Sequence, residues 1–566
     1  CRPVSRTYLP ALVGAALLAA VPFPFTFRGA HAADAAAPAM LDLSELKPGT
    51  KGYGLTVFSG TQPERFDVEV IGVLKNFLPN QDLILVKTAH PRLEAAKVVA
   101  GMSGSPVFID GKMIGAYAYG WQFGSEPVAG VTPIRSMLDE LNRPIPPELL
   151  GPLPTTPTAP VRRRASAQTF DTTRFAGNAA DYDISSHARQ LSTQLASSVG
   201  RLGSSTSPVP VATPLMIGGM RDTSVQMLRD ALSPLGMEPL QAGGGSASPD
   251  PNAPTRFVDG GAIGVQLVRG DISATGIGTV TRVSGDRLVA FGHPMMNTGV
   301  SRLPTAIAKI HWVLASTMRS FKIGVPVRPM GSLINDRQAA IVVDSKVDPP
   351  MFPVHLEING VAGAPHPIWN MEVAHEKFMA PMFVAVSIGN AVDATTQEKR
   401  DISWHAYTKI RVRNYGEFTM HDFGVAVGGN PDASTFMRSR AVKAVGSLLN
   451  NPWEDVDILG VETKLDVRFT RDLLTLRGAE PLEAEVAPEE KAHIRVHLVP
   501  FAGPEQVRVV EVPVPQHLAG QTVEIKLSPG YEENNDLARP ENVRDLIANL
   551  PQLTLPPDVL VASIET

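Results

Sequence analysis

The sequence holds one cysteine in 566 residues, and it is Cys1. A disulfide-stapled scaffold is excluded. Basic residues are not in excess: 51 Lys and Arg face 56 Asp and Glu, a net charge of −5, so no bulk positive field exists to hold nucleic acid. Beyond the N-terminal segment, no apolar run is long enough to span a bilayer. Metal-binding spacing is also missing. His375-Glu376 is not followed by a histidine at the zincin distance, and His493 and His497 lie on a polar strand face. Gly276-x-Gly278 lacks the third glycine and the helix of a dinucleotide loop. No metal and no cofactor are expected.

What is present favours β-structure. Gly 48 and Pro 50 are both high, which fits many turns and some linkers, and the length predicts two to four domains. Residues 1–32 read as a signal peptide. Arg2 and Arg6 precede an apolar stretch from Leu9 to Phe23, and Ala30-His31-Ala32 fits signal peptidase cleavage before Ala33. Cleavage removes Arg2, Arg6 and Arg28 and moves the net charge from −5 to −8. Export to a periplasm, cell envelope or extracellular space is expected, with no permanent membrane span and no cysteine in the mature chain.

From 45 to 141 the pattern is that of a β-barrel. Phe66, Val68 and Val70 alternate with Asp67 and Glu69, as in a half-buried strand. Asp110-Gly111 between two apolar runs predicts a tight hairpin, because both central positions need positive φ. Residues 142–168 form a Pro-rich linker that includes Arg162-Arg163-Arg164. Residues 169–242 read as an α/β insert with helices near 184–202 and before Gly236. Residues 260–345 return to β, with a hairpin tip at Gly285-Asp286. Residues 346–480 read as mixed and mostly β, with a helix near 435–449. Residues 481–566 read as a C-terminal β-sandwich-like region.

One stretch carries candidate chemistry. Ser103 sits in Gly101-Met-Ser-Gly-Ser-Pro, directly before the Asp110-Gly111 hairpin. A nucleophilic serine needs a turn that exposes its hydroxyl and N–H groups aimed at the developing oxyanion. The α/β-hydrolase elbow is excluded: Ser105 stands where that motif has glycine, and a strand follows instead of a helix. Gly-x-Ser-Gly-x-Pro before a hairpin is the arrangement of two-barrel, trypsin-like serine peptidases. The alternative is a plain tight turn.

The segment "ILVKTAHPRLEAAKVVAGMSGSPVFIDGKMIGA" resembles the nucleophile segment of the stage IV sporulation protein B (SpoIVB) peptidases. "GIGTVTRVSGDRLVAFGHPM" is similar to that family's histidine segment. The resemblance implies two trypsin-like β-barrels, Ser103 as nucleophile and His293 as general base. The N–H groups of Gly101 and Ser103 then form the oxyanion hole. Two departures stand out. The serine segment precedes the histidine segment, a permuted order that a triad tolerates because geometry defines it. The family's acid position before Pro-Arg-Leu holds His90. His90 then orients His293, or is a bystander to Asp82 or another acid, or marks an inactive enzyme. No counterpart of the family's peptide-binding module is found.

The expectation is a mainly β protein of two barrels with helical inserts, acting as an exported serine endopeptidase on protein or peptide substrates. The alternative is a catalytically inactive peptidase-fold binding or scaffold protein of the envelope.

Overall fold

The computed structural model describes residues 40–121, 124–145, 174–199, 207–243, 250–397 and 400–565. The expected signal peptide and the Arg162–Arg164 run lie outside the described residues.

Residues 51–133 form a closed barrel. Among the described residues, one sheet runs in the order Pro106–Ile109, Lys51–Thr56, Glu64–Leu78, Gln81–Ala89, Val128–Pro133, Lys112–Gly120, Val209–Pro210. Pairing of Pro106–Ile109 with Lys112–Gly120 closes its first six strands. The period-two pattern dictates which way the strand side chains point. Phe66, Val68 and Val70 are buried while Asp67 and Glu69 face solvent. Asp110 (φ 49°) and Gly111 (φ 74°) both adopt left-handed conformations, as the hairpin requires.

A second barrel forms from residues 262–344. Its sheet path is Ser273–Ser284, Arg287–Ala290, Ala340–Asp344, Ser320–Arg337, Gly299–Leu314, Ala262–Gly270, and a pairing of the last strand with the first closes it. Gly285-Asp286 forms the two-residue tip between Ser284 and Arg287. The fold is mainly β, as expected.

The barrels share backbone pairing as well as side-chain packing. Val99 and Ala100 pair in parallel with Ser320 and Phe321 of the second barrel. Helix Ile134–Asn142 leaves the first barrel and packs Ile134, Met137 and Leu141 against Val289, Ile334 and Val342 of the second. In the insert, parallel strands Thr213–Gly218 and Met237–Gln241 flank helix Asp222–Leu232 and extend the second sheet through Ser273–Gly276.

The region 346–480, expected to be mixed and mostly β, contains a long helix that the sequence analysis did not place. Met379–Thr396 packs in the same core as the second barrel, buried on nearly every face. A helix apolar all round shows no 3.6-residue stripe, so periodicity does not reveal it. Beyond it, Leu474–Pro481, Lys491–Pro500 and Gln506–Pro513 form a small sheet. Its Ile494 and Val496 pack on Ile525 and Leu527 of the two-stranded antiparallel sheet formed by Glu524–Pro529 and Leu560–Glu565.

Candidate active site

The glycines of the serine loop set its shape. Two β-turns follow one another: Met102 N–H donates to the Val99 carbonyl at 3.1 Å, and Ser105 N–H to the Met102 carbonyl at 2.9 Å. Gly101 (φ 91°) and Gly104 (φ 97°) occupy the third position of each turn, where positive φ is needed. Ser103 sits at the second position of the second turn. The Ser105 hydroxyl bonds the Met102 carbonyl at 2.6 Å and braces that turn. The Gly101 and Ser103 N–H groups take no part in the bonds that close the turns.

The loop is docked on the histidine-bearing barrel. Thr279 Oγ1 donates to the Gly101 carbonyl at 2.9 Å, and Thr281 Oγ1 to the Gly104 carbonyl at 2.7 Å. Thr279 N–H donates to the Ser103 carbonyl at 2.9 Å. Gly104 leaves no room for a side chain: a Cβ there would lie 1.9 Å from the Thr279 oxygen and 2.5 Å from Phe291 N. In return, Thr132 Oγ1 donates to the Gly292 carbonyl at 2.6 Å. The turns bearing Ser103 and His293 are thus bonded to the opposite barrels, 190 residues apart in sequence (293 − 103).

His293 stands at a strained corner. Phe291 (φ 69°) and Gly292 (φ 72°) are both left-handed, a conformation that is costly for a bulky aromatic residue. The Phe291 ring lies on Gly278, where a Cβ would come within 2.1 Å of it. That contact gives one glycine of "GIGT" its physical reason. The loop after the histidine is held by Asp336, fully buried, which accepts N–H bonds from Met295 and Met296, each at 2.8 Å.

The ring geometry favours one tautomer of His293. Its Nδ1 lies 2.8 Å from the Pro294 carbonyl. A carbonyl only accepts, so Nδ1 carries the proton of the neutral ring and Nε2 keeps its lone pair. Nε2 has no hydrogen-bond partner, and neither has the Ser103 hydroxyl. In this state the two do not bond each other. The pKa of His293 is pushed down to about 4, chiefly by burial, with the Pro294 and Val211 carbonyls opposing the shift. The ring borders a cavity of about 20 Å³, room for one water, formed with Pro210, Val211 and Ala212.

His90 and Asp82 stand elsewhere in the described structure. His90 caps helix Pro91–Ala96: its Nδ1 accepts the Arg92 N–H at 3.2 Å, and its ring stacks on Phe58 at 4.1 Å. Asp82 pairs with Lys75 at 2.8 Å across a hairpin. The place beside His293 Nδ1 that the sequence analysis offered to His90 or Asp82 is held by the Pro294 carbonyl.

Two site-building residues escaped the sequence analysis. Asp336 lies near the end of strand Ser320–Arg337 and carries no pattern of its own. Lys322 is fully buried beneath Gly101 and donates to Thr56 Oγ1 at 2.7 Å and Thr279 Oγ1 at 3.2 Å. Thr56 in turn meets the Ser105 hydroxyl at 3.0 Å. Burial lowers the Lys322 pKa to about 7. A neutral amine has two N–H groups, which matches its two acceptors. Its one sequence signal is position: Lys322 falls on the inward face of the alternating strand Ser320–Arg337. Among the described residues, no group of three or more His, Cys, Asp or Glu is placed to hold a metal, and no helix is long and apolar enough to cross a membrane.

Comparison with known proteins matches residues 38–133 to the family described as SpoIVB peptidase S55. No curated protein and no solved structure matches the chain. The matched stretch covers the whole first barrel and includes the double turn with Ser103; the second barrel lies outside it. Residues 38–133 thus carry the sequence features of the SpoIVB peptidase S55 family, and the match supports a peptidase function of SpoIVB type.

Proposed function

We propose that the chain is an exported serine endopeptidase, cleaving protein or peptide substrates of the envelope or extracellular space through an acyl-enzyme. Ser103 Oγ attacks the peptide carbonyl and His293 Nε2 takes its proton. The Gly101 and Ser103 N–H groups receive the oxyanion. The Pro294 carbonyl orients the imidazole, the task an aspartate performs in a Ser-His-Asp triad. It carries no full negative charge and so stabilises the imidazolium less. The export proposal rests on the leader pattern of residues 1–32.

The observation that carries this reading is the cross-bonding of the serine turn and the histidine corner. Thr279, Thr281 and Thr132 bind the two together, and the hydroxyl and ring nitrogen that a proton transfer would join are both left unpartnered. Unliganded sites often tighten only when substrate binds. A second reading, a peptidase-fold protein that binds without cleaving, is favoured by burial: Ser103 is 0% and His293 2% exposed.

Fluorophosphonate labelling of the full chain tests the assignment. Label is expected on the wild type, absent from Ser103→Ala and His293→Ala, and retained by Ser105→Ala. Equal labelling of Ser103→Ala and wild type refutes the nucleophile. A wild type that never labels, even with its site opened, establishes the second reading.

A further inference from the structure

A piece of the chain itself borders the cavity at His293. After helix Ile184–Val199 the insert returns as an extended strap, Pro208-Val-Pro-Val-Ala212. It runs antiparallel to the end of strand Lys112–Gly120, the strand that follows the serine hairpin. Gly120 faces Val209 and Tyr119 faces Pro210. Val211 N–H donates to the Ala118 carbonyl at 2.9 Å. The strap then passes over the histidine. Pro210, Val211 and Ala212 line the cavity at His293, and the Val211 carbonyl lies close enough to the ring to favour its protonated form.

The rail beneath the strap leads straight to the nucleophile. Tyr117 exchanges backbone bonds with the serine turn: its carbonyl accepts Gly104 N–H at 2.7 Å, and its N–H donates to the Ser105 carbonyl at 2.9 Å. The same strand, one residue later, binds the strap. Any extended peptide lying where the strap lies would therefore be led from Gly120 towards Ser103 and His293.

The strap's composition suits a temporary occupant. In antiparallel pairing, alternate residues turn their N–H groups towards the partner. Val211 does so, and Pro210 takes the intervening position, where its missing N–H is not needed. Pro208 and Pro210 leave the outer edge without donors at those positions, so a further strand adds poorly. Only two residue pairs make up the ladder between the strap and the rail.

We propose that the edge Tyr117–Gly120 is the docking rail for an extended peptide strand of a protein substrate, and that residues 208–212 occupy it as a displaceable internal cover. This rests on the peptidase reading for the fate of the peptide, but not for the cover itself. The occupant that replaces the strap would supply N–H and C=O groups matching Ala118 and Gly120. It would place a small apolar side chain in the buried position of Val211, which is 6% exposed.

The test uses a thiol in place of the ring, so that it needs no catalysis. In the full chain with Cys1→Ala, His293→Cys is alkylated with iodoacetamide. Two strap substitutions are then added singly: Val211→Pro, which removes the donor to Ala118, and Val211→Asp, which puts a charge in the buried position. Each is expected to raise the alkylation rate about tenfold or more, by raising the open fraction. A synthetic peptide of residues 207–213 is expected to slow it again. Alkylation rates indifferent to both substitutions, or to saturating peptide, overturn the proposal. Hydrogen exchange keeps the proposal open to refutation if either variant fails to fold. In the unsubstituted chain the Val211 amide is expected to exchange faster than core amides such as Val131; equal protection overturns the cover. If the thiol responds to the strap but Ser103 never takes fluorophosphonate in the Val211→Pro chain, the peptidase reading fails and the cover stands.

Discussion

The two barrels are closed in the same way and carry unequal loads. The first, residues 51–133, closes through one hairpin, and among the described residues its sheet gains from the rest of the chain only the short strand Val209–Pro210. The second shares its strands with a larger sheet. Ala262–Gly270 also pairs with Ile368–Ala374, and Ser273–Ser284 with the insert strand Thr213–Gly218. The first presents a turn held by glycine. The second supplies what the turn leans on: Thr279, Thr281, Phe291 and Lys322. The geometry of the Ser103 turn is thus a property of the pair. Buried polar bonds between layers, more than either core, set its position.

Changes at the contact should break that division of labour most sharply. The largest effect is expected for Gly104→Ala. Its Cβ meets backbone atoms of the second barrel and its φ is left-handed, so a loss of roughly 3 kcal/mol or more is expected in urea unfolding. Loss below about 1 kcal/mol would mean that the barrels separate easily there.

Asp336→Ala comes next. It orphans the N–H groups of Met295 and Met296 and releases the loop after His293. A cost of about 2–4 kcal/mol is expected, with fluorophosphonate labelling reduced about tenfold. Unchanged labelling would remove Asp336 from the positioning of the histidine.

Lys322 sharpens the comparison through pH. Its ammonium form is disfavoured in the folded state, so its pKa there is about 7 against an ordinary 10.5. Between those values the unfolded chain binds the extra proton, so this residue makes stability rise with pH across that window and adds no slope below it. Lys322→Met should flatten the slope in urea titrations from pH 7 to 10. A slope unaltered by the substitution would place its origin elsewhere. His293 acts in a lower range. Labelling should fall away near pH 4 and not near the ordinary 6.5, because burial holds the ring neutral. Val211→Pro should move that limb upward by letting water in.

The smallest effect is expected for His90→Ala, about 1 kcal/mol of stability from the lost cap, with labelling within about twofold of wild type. A tenfold loss of labelling would restore His90 to the machinery.

These contrasts show what could be read from the chain and what could not. The turn around Ser103 was legible because Gly101, Gly104 and the Asp110-Gly111 hairpin are local instructions, each demanding positive φ. Phe66, Val68 and Val70 announced their strand by alternation. His293 came from a resemblance, since a lone histidine after Phe-Gly has no pattern of its own. Lys322 and Asp336 were illegible for a different reason. Their roles depend on partners far along the chain, and no spacing rule joins residue 56 to 322 or 295 to 336. The group beside His293 Nδ1 is a backbone carbonyl, which every residue carries and no sequence advertises. The helix Met379–Thr396 hid by being apolar on all sides.

The split of the site across 190 residues also gives it a clock. Chains emerge at about 5–20 residues per second, N-terminus first. Ser103 therefore exists for roughly ten to forty seconds before His293 is made. Through that interval the carbonyls of Gly101 and Gly104 lack the hydroxyls of Thr279 and Thr281. The strap at 208–212 is made between the two, so on the proposal above the occupant of the rail is synthesised before the histidine it would cover.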